Sequence, residues 1–252
     1  MRIAIISDMH GNCLALDTVL ADLGRDPVDR IVCLGDAIQG GPQPAETVAR
    51  LRELACPVVM GNADDWILTG QDPTMREEAS EKQRLGREWT LAQLSDDDQV
   101  FIAGFQPTVE IPLGPDAGRT LICFHGSPHS FNDVILPETP EAEFAQMLGP
   151  FHPAIMAGGH THMQQVRRLG DTFFFNPGSV GFAYNRTQPE EDFKADPWAE
   201  YAVLGANQGR ISLEFRRVPF DAAEMTRIIE ASGMPYAEEQ AARYQPRDPT
   251  GP

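Results

Sequence analysis

Asp8 and His10 stand two residues apart where the chain's first apolar run, residues 3–6, gives out. Residues two apart at the end of an extended segment can project the same way, setting a carboxylate beside an imidazole. A helix-terminal aspartate followed by a surface histidine would explain that pair equally well. The rest of the chain adds to it. Gly35-Asp36 closes the apolar run 30–34, Gly61-Asn62 closes 57–60, and His125 closes 120–124. Gly158-Gly-His-Thr-His162 follows 154–157, and Asn176 follows 173–175. Leaving Asn176 aside, these strand ends supply two carboxylates, four imidazoles and one amide carbonyl. An oxygen and nitrogen donor set without thiolates suits Mn, Fe, Zn, Co or Ni. Seven ligands exceed what one ion takes, so two ions sharing a carboxylate is the economical arrangement, and Asp36 is the natural bridge.

The elements that must position these groups can be read around them. Leu14, Ala15, Val19, Leu20 and Leu23 recur at helical spacing, with Gly24 as the expected stop. Pro44 can open a second helix running to about residue 54. Strand, helix, strand, helix, strand implies βαβ units and a parallel sheet, whose strand ends are where such proteins place ligands. Residues 65–104 break that rhythm with a charge run at 76–82 and with Ser95 ahead of three aspartates, an N-cap signal. They predict a helical insertion covering one end of the sheet. Strand texture returns at 109–111 and 120–124, then as two hairpins, 166–169 with 173–175 and 201–204 with 211–215. Asp221 with Glu224 predicts a last helix near 221–232. Residues 1–244 are therefore expected to form a single α/β domain with its insertion at about 65–104, and the Pro- and Gly-rich 245–252 a disordered tail.

Composition narrows the function classes. Lys and Arg total 20 against 37 Asp and Glu, a net charge of −17, which repels nucleic-acid polymers. No apolar run approaches the length of a membrane span, and the N-terminus lacks a signal-peptide pattern, so a cytoplasmic protein is expected. The four cysteines form no C-x-x-C pair, and Cys33 and Cys123 sit in apolar runs, as buried free thiols would.

In their order, Asp8-Met-His10, Gly35-Asp36, Gly61-Asn62, His125-Gly126 and Gly159-His-Thr-His162 resemble the blocks of the calcineurin-like metallophosphoesterases. The stretches 7–12 and 176–181 resemble the small bacterial and archaeal branch, which includes phosphodiesterases and diadenosine tetraphosphatase-like proteins. The resemblance covers roughly residues 1–220. It implies a four-layer αββα sandwich of two mixed sheets flanked by helices. It also implies two divalent transition-metal ions, Mn foremost. One would bind Asp8, His10, Asp36 and His162; the other would bind Asp36, Asn62, His125 and His160. The expected reaction is hydrolysis of a small phosphate mono- or diester, or a phosphoanhydride, by attack of a metal-bridging hydroxide on phosphorus. The substrate would be a small phosphorylated molecule, nucleotide-like among others. Homo-oligomerisation is compatible with this.

The chain departs from the family where many members carry a histidine after the metal-binding asparagine: here stands Ala63. His129, four residues past His125, is the candidate replacement for the leaving-group acid, and esters with acidic leaving groups are expected to react fastest. Asn12, Asn176 and Arg186 are candidate substrate contacts. Asn12 fits a helix N-cap equally well, Asn176 fits turn chemistry, and His152 suits a surface or capping role. Two competing readings are a non-catalytic binding scaffold on the same fold, as in a eukaryotic trafficking-complex subunit, and a protein phosphatase. The complete ligand set disfavours the first.

Overall fold

Alternation along strand β1 (Arg2–Ile6) divides the molecule into layers. Ile3 and Ile5 pack between two sheets, while Ala4 and Ile6 point the other way into helices. All four are fully buried, and a buried isoleucine is worth about 1.5–3 kcal/mol. The computed structural model describes residues 1–71, 79–114, 120–149, 155–189 and 192–245.

After β1 come α1 (Cys13–Arg25), β2 (Arg30–Cys33), α2 (Pro44–Leu54), α3 (Asn62–Thr69), α4 (Glu81–Gln93) and α5 (Asp96–Ala103). Next are β3 (Val109–Pro112), β4 (Thr120–Cys123), α6 (Glu141–Leu148), β5 (Ile155–Ala157), β6 (Gln165–Leu169) and β7 (Thr172–Asn176). The chain closes with β8 (Trp198–Asn207), β9 (Arg210–Pro219), α7 (Ala222–Ala231) and α8 (Ala237–Ala242). One sheet has the order β2-β1-β8-β9 and the other β3-β4-β5-β7-β6. Both are mixed: β1 runs parallel to β2 and antiparallel to β8, and β4, β5 and β7 are mutually parallel between antiparallel edges.

Ile3, Ile5, Val32 and Leu34 of the first sheet meet Leu121, Cys123, Ile155 and Phe175 of the second. Leu16 and Val19 of α1, Val48 and Leu51 of α2, and Met225 and Ile229 of α7 cover the first sheet's outer face. Phe144 and Leu148 of α6 pack on Phe124, Met156 and Phe174 of the second. The order helix, sheet, sheet, helix is the four-layer αββα sandwich.

Several expectations shift in detail. The first helix runs through Gly24 to Arg25, because the stop is Asp26, held out of the helical region (φ −133°, ψ 78°) before Pro27. Residues 57–60 make only isolated bridges, Cys33 with Val58 and Val59 with Gln106. Pro57 has no N–H to lengthen that ladder. The second hairpin is longer than its alternation suggested, with ten residues in each of β8 and β9. Ser95 and Asp221 do cap α5 and α7. Helices α6 and α8 were not foreseen; α8 has the polar sequence AEEQAA and opens from Tyr236 in a left-handed conformation. All four cysteines are free, with Cys33 and Cys123 buried. Residues 76–78 of the charge run at 76–82, His152 and residues 246–252 lie outside the described residues. No helix among the described residues is long and apolar enough to cross a membrane.

Candidate metal centre

The parallel strands of both sheets end at one edge of the sandwich, and the candidate ligands follow those ends. Asp8 and His10 follow β1, Asp36 follows β2, and Asn62 opens α3. From the second sheet, His125 follows β4, and His160 and His162 follow β5. The structure brings all seven together. Asp8, His10 and His162 form one tight group of donor atoms, and Asp36, His125 and His160 another. Each group draws on both sheets.

In the first group, His10 Nε2 lies 3.0 Å from His162 Nε2, and His162 Nε2 lies 3.3 Å from Asp8 Oδ1. In the second, His125 Nε2 lies 3.0 Å from Asn62 Oδ1 and 3.3 Å from Asp36 Oδ2. The same Asp36 oxygen is 3.8 Å from His10 Nε2, so it stands between the groups. Its other oxygen, Oδ1, accepts from the Ala63 N–H at 2.8 Å.

The outward nitrogens of three rings are fixed by carbonyls. His10 Nδ1 donates to Gln39 O at 2.8 Å, His125 Nδ1 to Leu34 O at 2.8 Å, and His162 Nδ1 to Phe182 O at 2.7 Å. A carbonyl only accepts, so each Nδ1 carries a proton, and each ring in its neutral form aims the Nε2 lone pair inward. This is how metal-ligating histidines are oriented. Asp8 is fully buried, and its Oδ2 accepts from Ser7 Oγ at 2.5 Å and from the His160 N–H at 3.2 Å. Its Oδ1, which faces His162, has no hydrogen-bond partner. A buried carboxylate oxygen left bare beside converging imidazole lone pairs fits a bound cation.

The backbone carries strain here. Eight non-glycine residues have positive φ among the described residues, and five are ligands: Asp8, His10, Asp36, His160 and His162. Such conformations cost about 1–3 kcal/mol each and persist where the surroundings enforce them. Main-chain bonds do so: Asp8 N–H to Gly35 O, His10 N–H to Asp36 O and Gly11 N–H to Ala37 O zip the first two ligand loops together. Asp64 holds the second loop from below, accepting from the Ala37 and Ile38 N–H groups at 3.0–3.1 Å. Glycines allow the close approach: a Cβ on Gly61 would fall 2.2 Å from the Asp36 nitrogen, and one on Gly159 the same distance from Ser7 Oγ.

Proton affinities follow from this crowding. Burial alone would raise the Asp36 carboxyl, but His125 and His10 hold it well below the usual carboxylate range. Asp8 is likewise pushed up by burial and brought below its ordinary value by His162. Burial lowers His125, and Asp36 overrides it to about 9. Burial and then His125 lower His160 to about 4. Burial and then Asp36 raise Asp64 to about 7.

The remaining predicted residues divide. Asn12 caps α1 by accepting from the Ala15 N–H, and donates to Gly181 O at 2.9 Å. Asn176 is fully buried. Its amide nitrogen donates to Gly159 O and to Thr161 Oγ1, and its oxygen accepts from the Gly178 N–H. It therefore clamps the loop bearing His160 and His162. Arg186 is exposed and donates to Thr161 O at 3.1 Å, on the same loop. The His129 ring lies against Gly149 at the end of α6, on an exposed turn; it joins neither ligand group and does not wall the adjoining cleft. Sequence reasoning missed the supports Ser7, Asp64 and Ser179; the Ser7 hydroxyl donates to Asp8 Oδ2 and that of Ser179 to Asp8 O. Ser7, a small polar residue directly before Asp8, was the one available signal among them.

A cleft of about 320 Å³ opens from His10, Asp36, His160 and His162 toward α7 and α8. A model of the calcineurin-like phosphoesterase superfamily domain matches residues 1–193. The chain belongs to that superfamily. It is 26% identical over 190 residues to phosphodiesterase YfcE of Escherichia coli strain K12, a match spanning 71% of this chain and 79% of the relative. An uncharacterized protein of Methanocaldococcus jannaschii, MJ0912, is 25% identical over 250 residues, 92% and 93% of the two chains. The crystal structure of a metallophosphoesterase from Sphaerobacter thermophilus superposes with a TM-score of 0.72 at 28% identity, over 97% of this chain and 98% of that one. A hypothetical protein from Pyrococcus horikoshii OT3 shares the fold, with a TM-score of 0.77 at 18% identity over 95% and 97%. The superfamily member described here is a metal-dependent phosphoesterase.

Proposed function

We propose that the chain holds two divalent metal ions and hydrolyses a small phosphate mono- or diester, or a phosphoanhydride. The observation that supports this is the place of Asp36 Oδ2, within 3.8 Å of His10 Nε2 and 3.3 Å of His125 Nε2, so one carboxylate oxygen lies within reach of both ligand groups. Asp8, His10 and His162 with Asp36 would hold one ion, and Asn62, His125 and His160 with Asp36 the other. Mn is the first candidate, with Fe, Zn, Co and Ni as alternatives for this donor set. Bound ions of this kind acidify water and neutralise charge developing on phosphoryl oxygens.

The chain's own residues fix geometry and exclude other chemistry. Among the described residues no serine or cysteine lines the cleft, which favours direct attack by water over a covalent enzyme intermediate. The new bond joins the water oxygen to phosphorus, the phosphorus–ester bond breaks, and the departing oxygen takes a proton. Ala63 offers none to give, and its N–H is spent on Asp36. The net charge of −17 and the confined cleft favour a small phosphorylated molecule, nucleotides included, over nucleic-acid polymer. Cytoplasmic residence belongs to the same reading.

Metal analysis of the purified chain, with p-nitrophenyl mono- and diesters, cyclic nucleotides and dinucleoside polyphosphates as substrates, tests the reading. Two ions per chain are expected, with hydrolysis lost on chelation. A single ion that survives Asp36→Ala would overturn the shared-carboxylate arrangement.

A further inference from the structure

The cleft beside the ligands changes character within a few ångströms. At one end stand His10, Asp36 and the histidines of the β5 loop; the opposite wall is Met225 and Ile229 of α7 and Met234 of the α7–α8 connection. Phe182 and Tyr244 complete this apolar part. The whole α7–α8 wall lies beyond residues 1–193, the span that the superfamily model matches. Arg243 is fixed at the rim, its guanidinium 5.5 Å from the ring centres of both Phe182 and Phe193 and 3.6 Å from Glu239. Met234 and Gln240 also wall a second chamber of about 200 Å³ that reaches Trp89, so a group seated against Met234 has room to extend.

Met225 and Ile229 are almost wholly buried beneath the cleft, so the apolar surface open to a ligand is that of the half-buried Met234, Phe182 and Tyr244, and inorganic phosphate or an ester of a small polar alcohol would leave it in contact with water. A ring fits it: thioethers pack favourably on aromatic faces and edges, and two aromatic side chains border the space. We infer that the centre takes a phosphoester whose organic group carries an aromatic ring, seated against Met234, Phe182 and Tyr244. The inference rests on the phosphoesterase reading and names its substrate class.

The test is calorimetric and does not depend on turnover. Methylphosphonate and phenylphosphonate share one anionic head and differ in the ring. Each is titrated into the full-length, Mn-loaded chain, and into Met234→Asp and Gln240→Trp variants whose thermal unfolding is checked first. Phenylphosphonate should bind the unaltered chain about tenfold more tightly or better, a modest return for the apolar area covered. Met234→Asp should bring the two ligands to similar Kd values by raising only that of phenylphosphonate. Gln240→Trp, which narrows the space with a bulky side chain, should do the same should the aspartate variant not fold. Equal Kd values in the unaltered chain, a preference that survives both variants, or no binding of either phosphonate would overturn the inference. The underlying reading fails by a different result: a metal-loaded chain that hydrolyses none of the p-nitrophenyl esters, whatever the phosphonate ratio.

Discussion

Replacing Gly61 with alanine alters no ligand, yet it should disable the centre. Gly61 has φ −93° and ψ 166°, a conformation open to any residue, so the penalty is steric. The added methyl would fall 2.2 Å from both the Asp36 nitrogen and Asp36 Oδ1, and 2.9 Å from its Cα. Carbon contacts settle near 3.5–4.0 Å, so the Asp36 loop must retreat by more than ~1 Å. It cannot retreat freely, because Asp64 and the His10 loop hold it by main-chain hydrogen bonds. Overpacking of this kind costs about 1–3 kcal/mol, or roughly 2–12 °C in Tm at about 2–4 °C per kcal/mol for a chain of this size. Displacing the partners of a ligand weakens metal binding by about 10–100-fold, which removes about 1.4–2.7 kcal/mol of metal-induced stabilisation at saturation. Scanning calorimetry of the metal-free chain and of the same chain titrated with Mn measures both losses. Gly24→Ala is the control: nothing lies within 4 Å of its added carbon, and the residue is exposed inside α1. It should stabilise by about 0.5–1 kcal/mol. A Gly61→Ala chain with the full metal-induced rise in Tm would refute the steric argument.

Three further outcomes are expected. Asn176→Ala removes the donor to Gly159 O and Thr161 Oγ1 and the acceptor for Gly178 N–H, so unfolding should cost about 2–4 kcal/mol less, measured by denaturant titration; an unchanged midpoint would show that the clamp is idle. Chelation should lower Tm and added Mn should restore it, because the bare Asp8 Oδ1 and the crowded imidazoles then regain a partner; an identical melt with and without chelator would contradict this. With Ala63 in place, aryl phosphates and phosphoanhydrides should react far faster than alkyl esters, and Ala63→His should narrow the gap chiefly by speeding alkyl substrates. A leaving-group series in which the variant and the parent give the same slope would count against that.

The ligand-bearing strand ends were legible because their chemistry is local. Four of the apolar runs stop at a glycine or a histidine, at Gly35, Gly61, His125 and Gly158, and the first stops at Ser7 just ahead of Asp8. The layering was legible for the same reason, since alternation in β1 sends Ile3 and Ile5 one way and Ala4 and Ile6 the other. What escaped was set by tertiary contact. Gly24 looked like a helix end, whereas Pro27 decides the boundary through Asp26. Asn176 does bond its own turn at the Gly178 N–H, as its neighbours suggested, but they gave no sign that its amide nitrogen also engages a loop fifteen or more positions away. Arg243 and Tyr244, at the end of a polar helix with no stripe, gave no sign that they would wall the cleft.

Because each ligand group takes side chains from both sheets, the ions would act as rivets across the seam of the sandwich. Slippage of one sheet over the other by an ångström would scatter both groups at once, so the loaded chain should breathe less at this edge than at the opposite one. A descendant that shed its metals would inherit an unfastened seam lined with buried charge, and would have to close it with apolar side chains or with a partner before it could stay folded.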